Sequence, residues 1–320
     1  MNAVHDTYLR FAEIEARGVS PVYERWARGV AADAEVCELI GQLPRSKRQP
    51  NLIFAAARAL GAPVAGYDEL RSWLLEHWDM ERALVMQRST QTNEAARCAV
   101  LLPFFAEVAQ PIALIEVGAS AGLCLYPDRY SYRYDLHGRV LELDPRDGES
   151  DVVFSCPVVG SDFAAPRLPE VASRAGIDLN PLDASDAEQV DWLEALVWPE
   201  HEERRARLRR AARVAAQDPP KLVRGDASDE IADLVAQAPR DASVVVFHSA
   251  VLVYMTPDER SRFTETVSQL PVTWISNEGP AVLPRVTEQV SKDIDGRTIV
   301  AVNGQARALV GPHGQSLELL

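Results

Sequence analysis

From the start of the chain to about residue 108, apolar positions return every three or four residues, and the rhythm breaks at 18–21, 44–50 and 61–66, where glycine and proline gather. This predicts an N-terminal region built from helices. After Pro111 the pattern changes to short β-rich runs at 112–117, 176–179, 221–224, 243–248 and 272–276, separated by helical stretches. That alternation predicts an α/β domain, doubly wound around a mostly parallel sheet. Two stretches break it. Between about 129 and 165 a period-2 pattern with turn signals at His137-Gly138 and Asp147-Gly148 predicts an inserted β-hairpin or meander. The tail, with runs at 298–302, 305–310 and 315–319 joined by Asn303-Gly304 and a glycine-bearing turn at 311–314, predicts an antiparallel C-terminal edge that finishes the sheet. The expected division is a helical lid or substrate region at 1–108 and an α/β domain at 109–320.

Composition narrows the function classes. Hydrophobic residues make up 47% of the 320 positions and charged residues 25%, the proportions of a soluble folded protein with room for two domains. Lys and Arg number 33 against 47 Asp and Glu, a formal charge of −14, so a surface that grips a nucleic-acid backbone is not expected. The cysteines at 37, 98, 124 and 156 form no Cys-x-x-Cys pair; neither a metal site nor a disulfide framework is read from them, and lone thiols fit a reducing cytoplasm. The most apolar neighbourhood, about 95–126, is interrupted by Arg97, Glu107, Gln110 and Glu116, so no membrane span is expected, and the acid-bearing amphipathic N-terminus is unlike a signal peptide. The expected partner is a small molecule. The oligomeric state is not legible.

The most informative segment runs Ile115-Glu116-Val117-Gly118-Ala119-Ser120-Ala121-Gly122: a buried strand, an acid at its end, then two glycines four apart and an expected helix start. A glycine turn there lets a ligand approach the backbone, and a helix N-terminus offers it unpaired N–H groups. A dinucleotide turn would carry Gly-x-Gly-x-x-Gly, and its middle glycine is missing. Gly118-Ala119-Ser120-Ala121-Gly122 also matches the Gly-x-Ser-x-Gly elbow of a serine hydrolase, with acids and His248 or His313 downstream, though the usual strands and His-Gly-Gly loop do not precede it. A turn that merely packs one element on another is the plainest alternative. The spacing Glu-x-Gly-x-x-x-Gly closely resembles the first motif of class I S-adenosylmethionine-dependent methyltransferases.

That resemblance implies a cofactor, S-adenosylmethionine, and further site residues. Glu116, Gly118, Ser120 and Gly122 would shape the cofactor turn. Gly176-Ile177-Asp178-Leu179-Asn180 is similar to the second-strand motif, implying that Asp178, with Asn180 beside it, accepts from the ribose hydroxyls. Gly225-Asp226-Ala227 is similar to the third-strand motif, implying that Asp226 and Ala227 meet the adenine. The gap from the glycines to Asp178 far exceeds the roughly 20 residues usual in dinucleotide folds, and Glu142 or Asp144 has the better raw spacing. At the end of the fourth expected strand, His248 is a candidate base or acceptor contact. Tyr254 and Glu278 are weaker candidates. Asn93 and Arg97, expected on one helix face at i, i+4 within Gln91-Thr92-Asn93-Glu94, would approach the cofactor's carboxylate.

Across Gln49 to Leu52, Gln91 to Arg97, Ile115 to Leu125, Asp178 to Asp183, Trp192 to Pro199, Gly225-Asp226 and Phe247 to Ser249, the chain also resembles a family of uncharacterised bacterial proteins classed as a domain of unknown function. Membership implies a methyltransferase-like fold without a substrate. Methyl transfer to a small acceptor is the leading expectation; a non-catalytic ligand-binding protein on the same fold is its rival. Asp178 and Asp226 also read as turn or helix-capping acids. Asp218-Pro219-Pro220-Lys221 resembles an amine-binding motif but lacks its aromatic and precedes the wrong strand. The arginines of 200–213 read as a solvated helix face, and Trp192 and Trp198 as core.

Overall fold

The computed structural model describes residues 3–91, 93–160 and 163–320, and the chain divides into two compact units. The first comprises Met1–Thr92 and Asp186–Arg209, the second Asn93–Ser185 and Arg210–Leu320. This differs from a single cut at 108 because the chain leaves the first unit, builds part of a sheet, and returns.

The first unit is helical: α1 (Ala3–Arg10), α2 (Pro21–Ala32), α3 (Ala34–Gly41), α4 (Pro50–Ala59), α5 (Tyr67–Gln87) and, from the returning segment, α7 (Ala187–Leu196), with α6 (Cys98–Ala106) lying in the second unit. Local chemistry sets the helix starts. Ser20 caps α2 by accepting from Tyr23 N, with Pro21 at the first helical position, and Asp33 caps α3 by accepting from two amides. The core is aromatic: Tyr8, Tyr23 and Trp26 surround Phe54 at ring-centre distances of 5.1–5.7 Å. Trp198 joins it against Phe11 and Tyr23, and Trp192 is buried, so both pack as core. Two buried or half-buried bonds hold the returning segment: Glu200 accepts from Ser20 Oγ at 2.7 Å, and Arg58 donates to Val197 O at 2.6 Å. Helix α8 (Glu202–Gln217) runs across the boundary between the units and carries Arg209 in a two-bond ion pair with Glu194.

The second unit is an α/β structure around one 11-stranded mixed sheet. Its strands are β1 (Ile112–Val117), β2 (Ser131–Leu136), β3 (Arg139–Leu143), β4 (Val153–Val159), β5 (Val171–Asp178), β6 (Lys221–Arg224), β7 (Ser243–Ser249), β8 (Thr273–Glu278), β9 (Thr298–Val302), β10 (Gln305–Val310) and β11 (Leu317–Leu319). The remaining helices are α9 (Ala227–Ala236), α10 (Pro257–Gln269) and α11 (Pro284–Thr287). Strands β6-β5-β1-β7-β8 lie side by side and parallel, so the five strands expected from the pattern take the order 3-2-1-4-5 of a doubly wound sheet. Every residue of β1 is buried, as a strand at the centre of such a sheet requires.

The C-terminal strands do not form an edge. β9 pairs antiparallel with β8, β10 with β9 through the Asn303-Gly304 turn, and β11 then pairs with β4 of the insertion, so the sheet continues to β2 and ends at β3. The insertion closes its hairpin at His137-Gly138, and its buried face is rich in tyrosine: Tyr132 and Tyr134 stack, and Tyr134 donates to Ala99 O of α6. That apolar face finds its cover against α6 by extending the sheet, which period-2 patterning alone does not reveal. Among the described residues, no helix is long and apolar enough to cross a membrane.

Candidate functional site

Strand order puts a topological switch point between β1 and β7, and ligands of open α/β sheets bind beyond the carboxyl ends of the strands at such points. The glycine turn leaves β1 there. Gly118 (φ 71°), Ser120 (φ 51°) and Gly122 (φ 70°) all take left-handed conformations, so the chain reverses within five residues. Gly118 N and Ala119 N donate to Ile177 O at 2.8 and 3.1 Å, and Ser120 N donates to Asp178 Oδ2 at 2.7 Å. Asp178 Oδ1 accepts from Asn180 N, also at 2.7 Å. The β5 carboxylate therefore ties the turn with one bond and its own exit from β5 with the other.

Two sequence expectations change here. No α-helix follows the turn: a single 3₁₀ turn at Leu123–Leu125 leads into the inserted strands, so no helix dipole stands behind Gly122. Gly118 also has an internal reason to be glycine, since a Cβ there would lie 2.4 Å from Val251 of the loop after β7. The alternative acids are remote in the fold. Glu142 and Asp144 belong to β3 and its exit, with seven strands between β3 and β1, and there Asp144 pairs with Arg133.

Of the fourteen polar or charged residues buried among those described, eleven gather at this end of the sheet: Asn93, Glu94, Arg97, Glu116, Ser120, His248, Ser249, Ser276, Asn277, Glu278 and Thr298. Strand parity divides them. Val117, His248 and Ser276 are register partners, and His248 faces α10 by way of Phe263. Phe247 and, two residues on, Ser249 face α6, where Phe247 meets Phe105.

On the α10 side, His248 is fully buried and engaged at both ring nitrogens. Trp274 Nε1 donates to its Nε2 at 3.0 Å; an indole can only donate, so the ring proton sits on Nδ1 and is donated to Glu278 Oε1 at 2.7 Å. The same oxygen accepts from Val251 N and Leu252 N. His248 and Glu278 thus pin the loop whose Val251 fills the space over Gly118. His248 has no lone pair left for a substrate proton. Tyr254, at the end of that loop, is 81% exposed and stands outside the buried group.

On the α6 side, Asn93 Nδ2 donates to Ala119 O of the turn, and Arg97 donates to Ser249 O at 2.8 Å and Pro312 O at 3.0 Å. Asn93 precedes the helix instead of sharing a helix face with Arg97, because Glu94 caps the 3₁₀ turn Ala95–Arg97; Thr92 lies outside the described residues. Glu116 Oε2 and Ser120 Oγ are buried without hydrogen-bond partners. Burial, and next to it Cys124, pushes the Glu116 carboxyl well above its usual range. Ser120 therefore has no base at its hydroxyl, which a hydrolase elbow needs. Asp226 caps α9 through Ser228 N and sits 3.4 Å from Arg262, with buried Ala227 next to it. Composition gave no signal for Ser249, Asn277 and Thr298, which strand-end placement alone brings into the group. Beside the turn, a cleft of about 330 Å³ is lined by Ala121, Leu182, Asp183, Ala215, Pro220 and Leu222. Among the described residues, no three His, Cys, Asp or Glu side chains gather to hold a metal.

The sequence pattern of a family described as an uncharacterized protein conserved in bacteria, DUF2332, matches residues 5–318. The chain belongs to this family. That span takes in the insertion and nearly all of both units. No curated protein and no solved structure matches it.

Proposed function

We propose that this DUF2332 protein binds S-adenosylmethionine beyond the carboxyl ends of β1, β5 and β7 and transfers its methyl group to a small-molecule acceptor. The observation that carries the reading is the concentration of buried polar residues at the switch point of a 3-2-1-4-5 sheet, on both sides of a Glu-x-Gly-x-x-x-Gly turn. Burying polar groups is costly, and a fold that needed only stability would not collect eleven of them at one strand end. Two of them, Glu116 Oε2 and Ser120 Oγ, are buried without a protein partner, a hydrogen-bonding capacity that the polar groups of such a ligand would meet.

When bound, the group supplies an electrophilic methyl on sulfur. The chain's own part is to align and shield the reactants. In this reading the turn, Glu116 and Ser120 line the ligand, Asp178 and Asn180 take the ribose, Asp226 and Ala227 the adenine, and Asn93 and Arg97 the amino-acid end. The four cysteines are free and buried, in keeping with a reducing cytoplasm.

Calorimetry with S-adenosylmethionine and S-adenosylhomocysteine is expected to give saturable binding by the folded full chain; no heat from either at millimolar concentration overturns the reading. Asp178→Ala is expected to lower stability by about 1–3 kcal/mol by releasing two backbone donors, and to weaken cofactor binding as well. An unchanged affinity in that variant removes the ribose assignment. A second reading, a ligand-binding protein without turnover, is favoured by one observation: both nitrogens of the expected base are occupied. Cofactor binding without methyl transfer to amine, thiol or carboxylate acceptors would decide for it.

A further inference from the structure

A chain of side-chain hydrogen bonds crosses the α6 face of the site. Thr298 Oγ1 donates to Asn277 Oδ1 at 2.6 Å, and Asn277 Nδ2 donates to Ser249 Oγ at 2.8 Å. In this orientation the Asn277 amide accepts the 2.6 Å bond and donates the 2.8 Å one, lengths that suit O–H···O and N–H···O. A hydroxyl that accepts from Asn277 keeps its own proton free, and Ser249 has no protein acceptor for it among the described residues. Arg97 is spent on two carbonyls, Ser249 O through Nη1 and Pro312 O through Nε, and its Nη2 likewise meets no acceptor. Arg97 and Ser249 are 6% and 7% exposed, so each keeps a small reachable surface, whereas His248 keeps none.

We propose that Arg97 and Ser249 form a carboxylate-binding subsite, with Asn277 and Thr298 as positioning residues that aim the Ser249 hydroxyl outward. The Arg97 guanidinium bonds the Ser249 main chain, so its spare N–H and the Ser249 O–H are donors on adjoining residues, a set that suits an oxyanion, and both are held before the ligand arrives. The subsite sits at the ends of β7, β8 and β9, away from the Asp178 and Asp226 side. Its carboxylate comes either from the amino-acid tail of the methyl donor or from an acidic acceptor. Both sources rest on the methyl-donor reading, whereas carboxylate binding as such does not.

Calorimetry on the full chain compares S-adenosylhomocysteine with 5′-methylthioadenosine, which lacks the tail. If the tail is the source, Ser249→Ala weakens the first by about ten- to a hundredfold and leaves the second unchanged. Thr298→Val, nearly isosteric, gives a smaller loss in the same direction and guards against a misfolded alanine variant. If the acceptor is the source, Ser249→Ala leaves both nucleosides unchanged, and acetate gives a saturable shift of the Arg97 Nε–H resonance that persists under saturating S-adenosylhomocysteine and is lost in Ser249→Ala. Equal weakening of both nucleosides, or an acetate-insensitive Arg97 together with an unchanged S-adenosylhomocysteine affinity, overturns the subsite. If neither nucleoside binds, the methyl-donor reading falls, and the acetate titration alone decides the subsite.

Discussion

Gly118→Ala is expected to lower the stability of the sheet unit by about 2–5 kcal/mol. Two costs combine. A left-handed backbone at φ 71° disfavours any Cβ by about 1–2 kcal/mol, and the new carbon would press to 2.4 Å on Val251, an overpacking of about 1–3 kcal/mol. Val251→Ala separates them: in the double variant the steric part is recovered and the backbone part remains. Urea unfolding followed by hydrogen exchange of the β1 amides measures both, and the double-mutant cycle should show a favourable coupling of about 1–2 kcal/mol. Zero coupling would mean that Val251 swings away at no cost and that the loop after β7 is not seated on the turn. The loop has reason to stay, because Glu278 Oε1 holds its two amides and His248 holds Glu278.

Glu81→Met is expected to stabilise the helical unit at neutral pH by about 1–3 kcal/mol, the cost of leaving a buried polar group unsatisfied. Glu81 is fully buried on α5, and neither carboxyl oxygen has a hydrogen-bond partner. Burial pushes its carboxyl well above the usual range, and the nearby Tyr8 phenol is raised by burial and by Glu81. The folded chain thus keeps this proton after the unfolded chain has lost its own near pH 4.3. Stability from the protonated form is complete below that value and declines as pH rises toward the raised folded pKa, at about 1.4 kcal/mol per pH unit. Acids held low, such as Asp33 and Glu200, work in the opposite direction, so the informative quantity is the difference between variant and wild type. That difference should grow above pH 4.3. Tryptophan fluorescence suits the measurement, because Trp26, Trp73, Trp78, Trp192 and Trp198 lie in the helical unit and only Trp274 in the other. A difference that stays flat from pH 4 to 8 would show Glu81 ionised in the fold.

Much of this protein is written in local pattern. Periods of three to four residues gave the helices of 1–108, β-branched runs gave the five parallel strands, and His137-Gly138 and Asn303-Gly304 gave their hairpins, because turn conformation and side-chain period depend on near neighbours. Glu116 and the glycine turn were legible for the same reason: the backbone there needs φ above zero within one short segment. What the pattern could not carry is partner choice. Whether a period-2 strand ends a sheet or joins another depends on which apolar face remains uncovered, and here β11 reached β4, placing the tail inside the sheet and the insertion at its edge. The return of 186–209 to the helical unit rests on Glu200 meeting Ser20 and Arg58 meeting Val197, more than a hundred residues apart in the chain. Tertiary structure alone also separated His248 from Ser249: neighbours in sequence, they face opposite sides of one strand, the first closed by Trp274 and Glu278, the second bonded through its hydroxyl to Asn277.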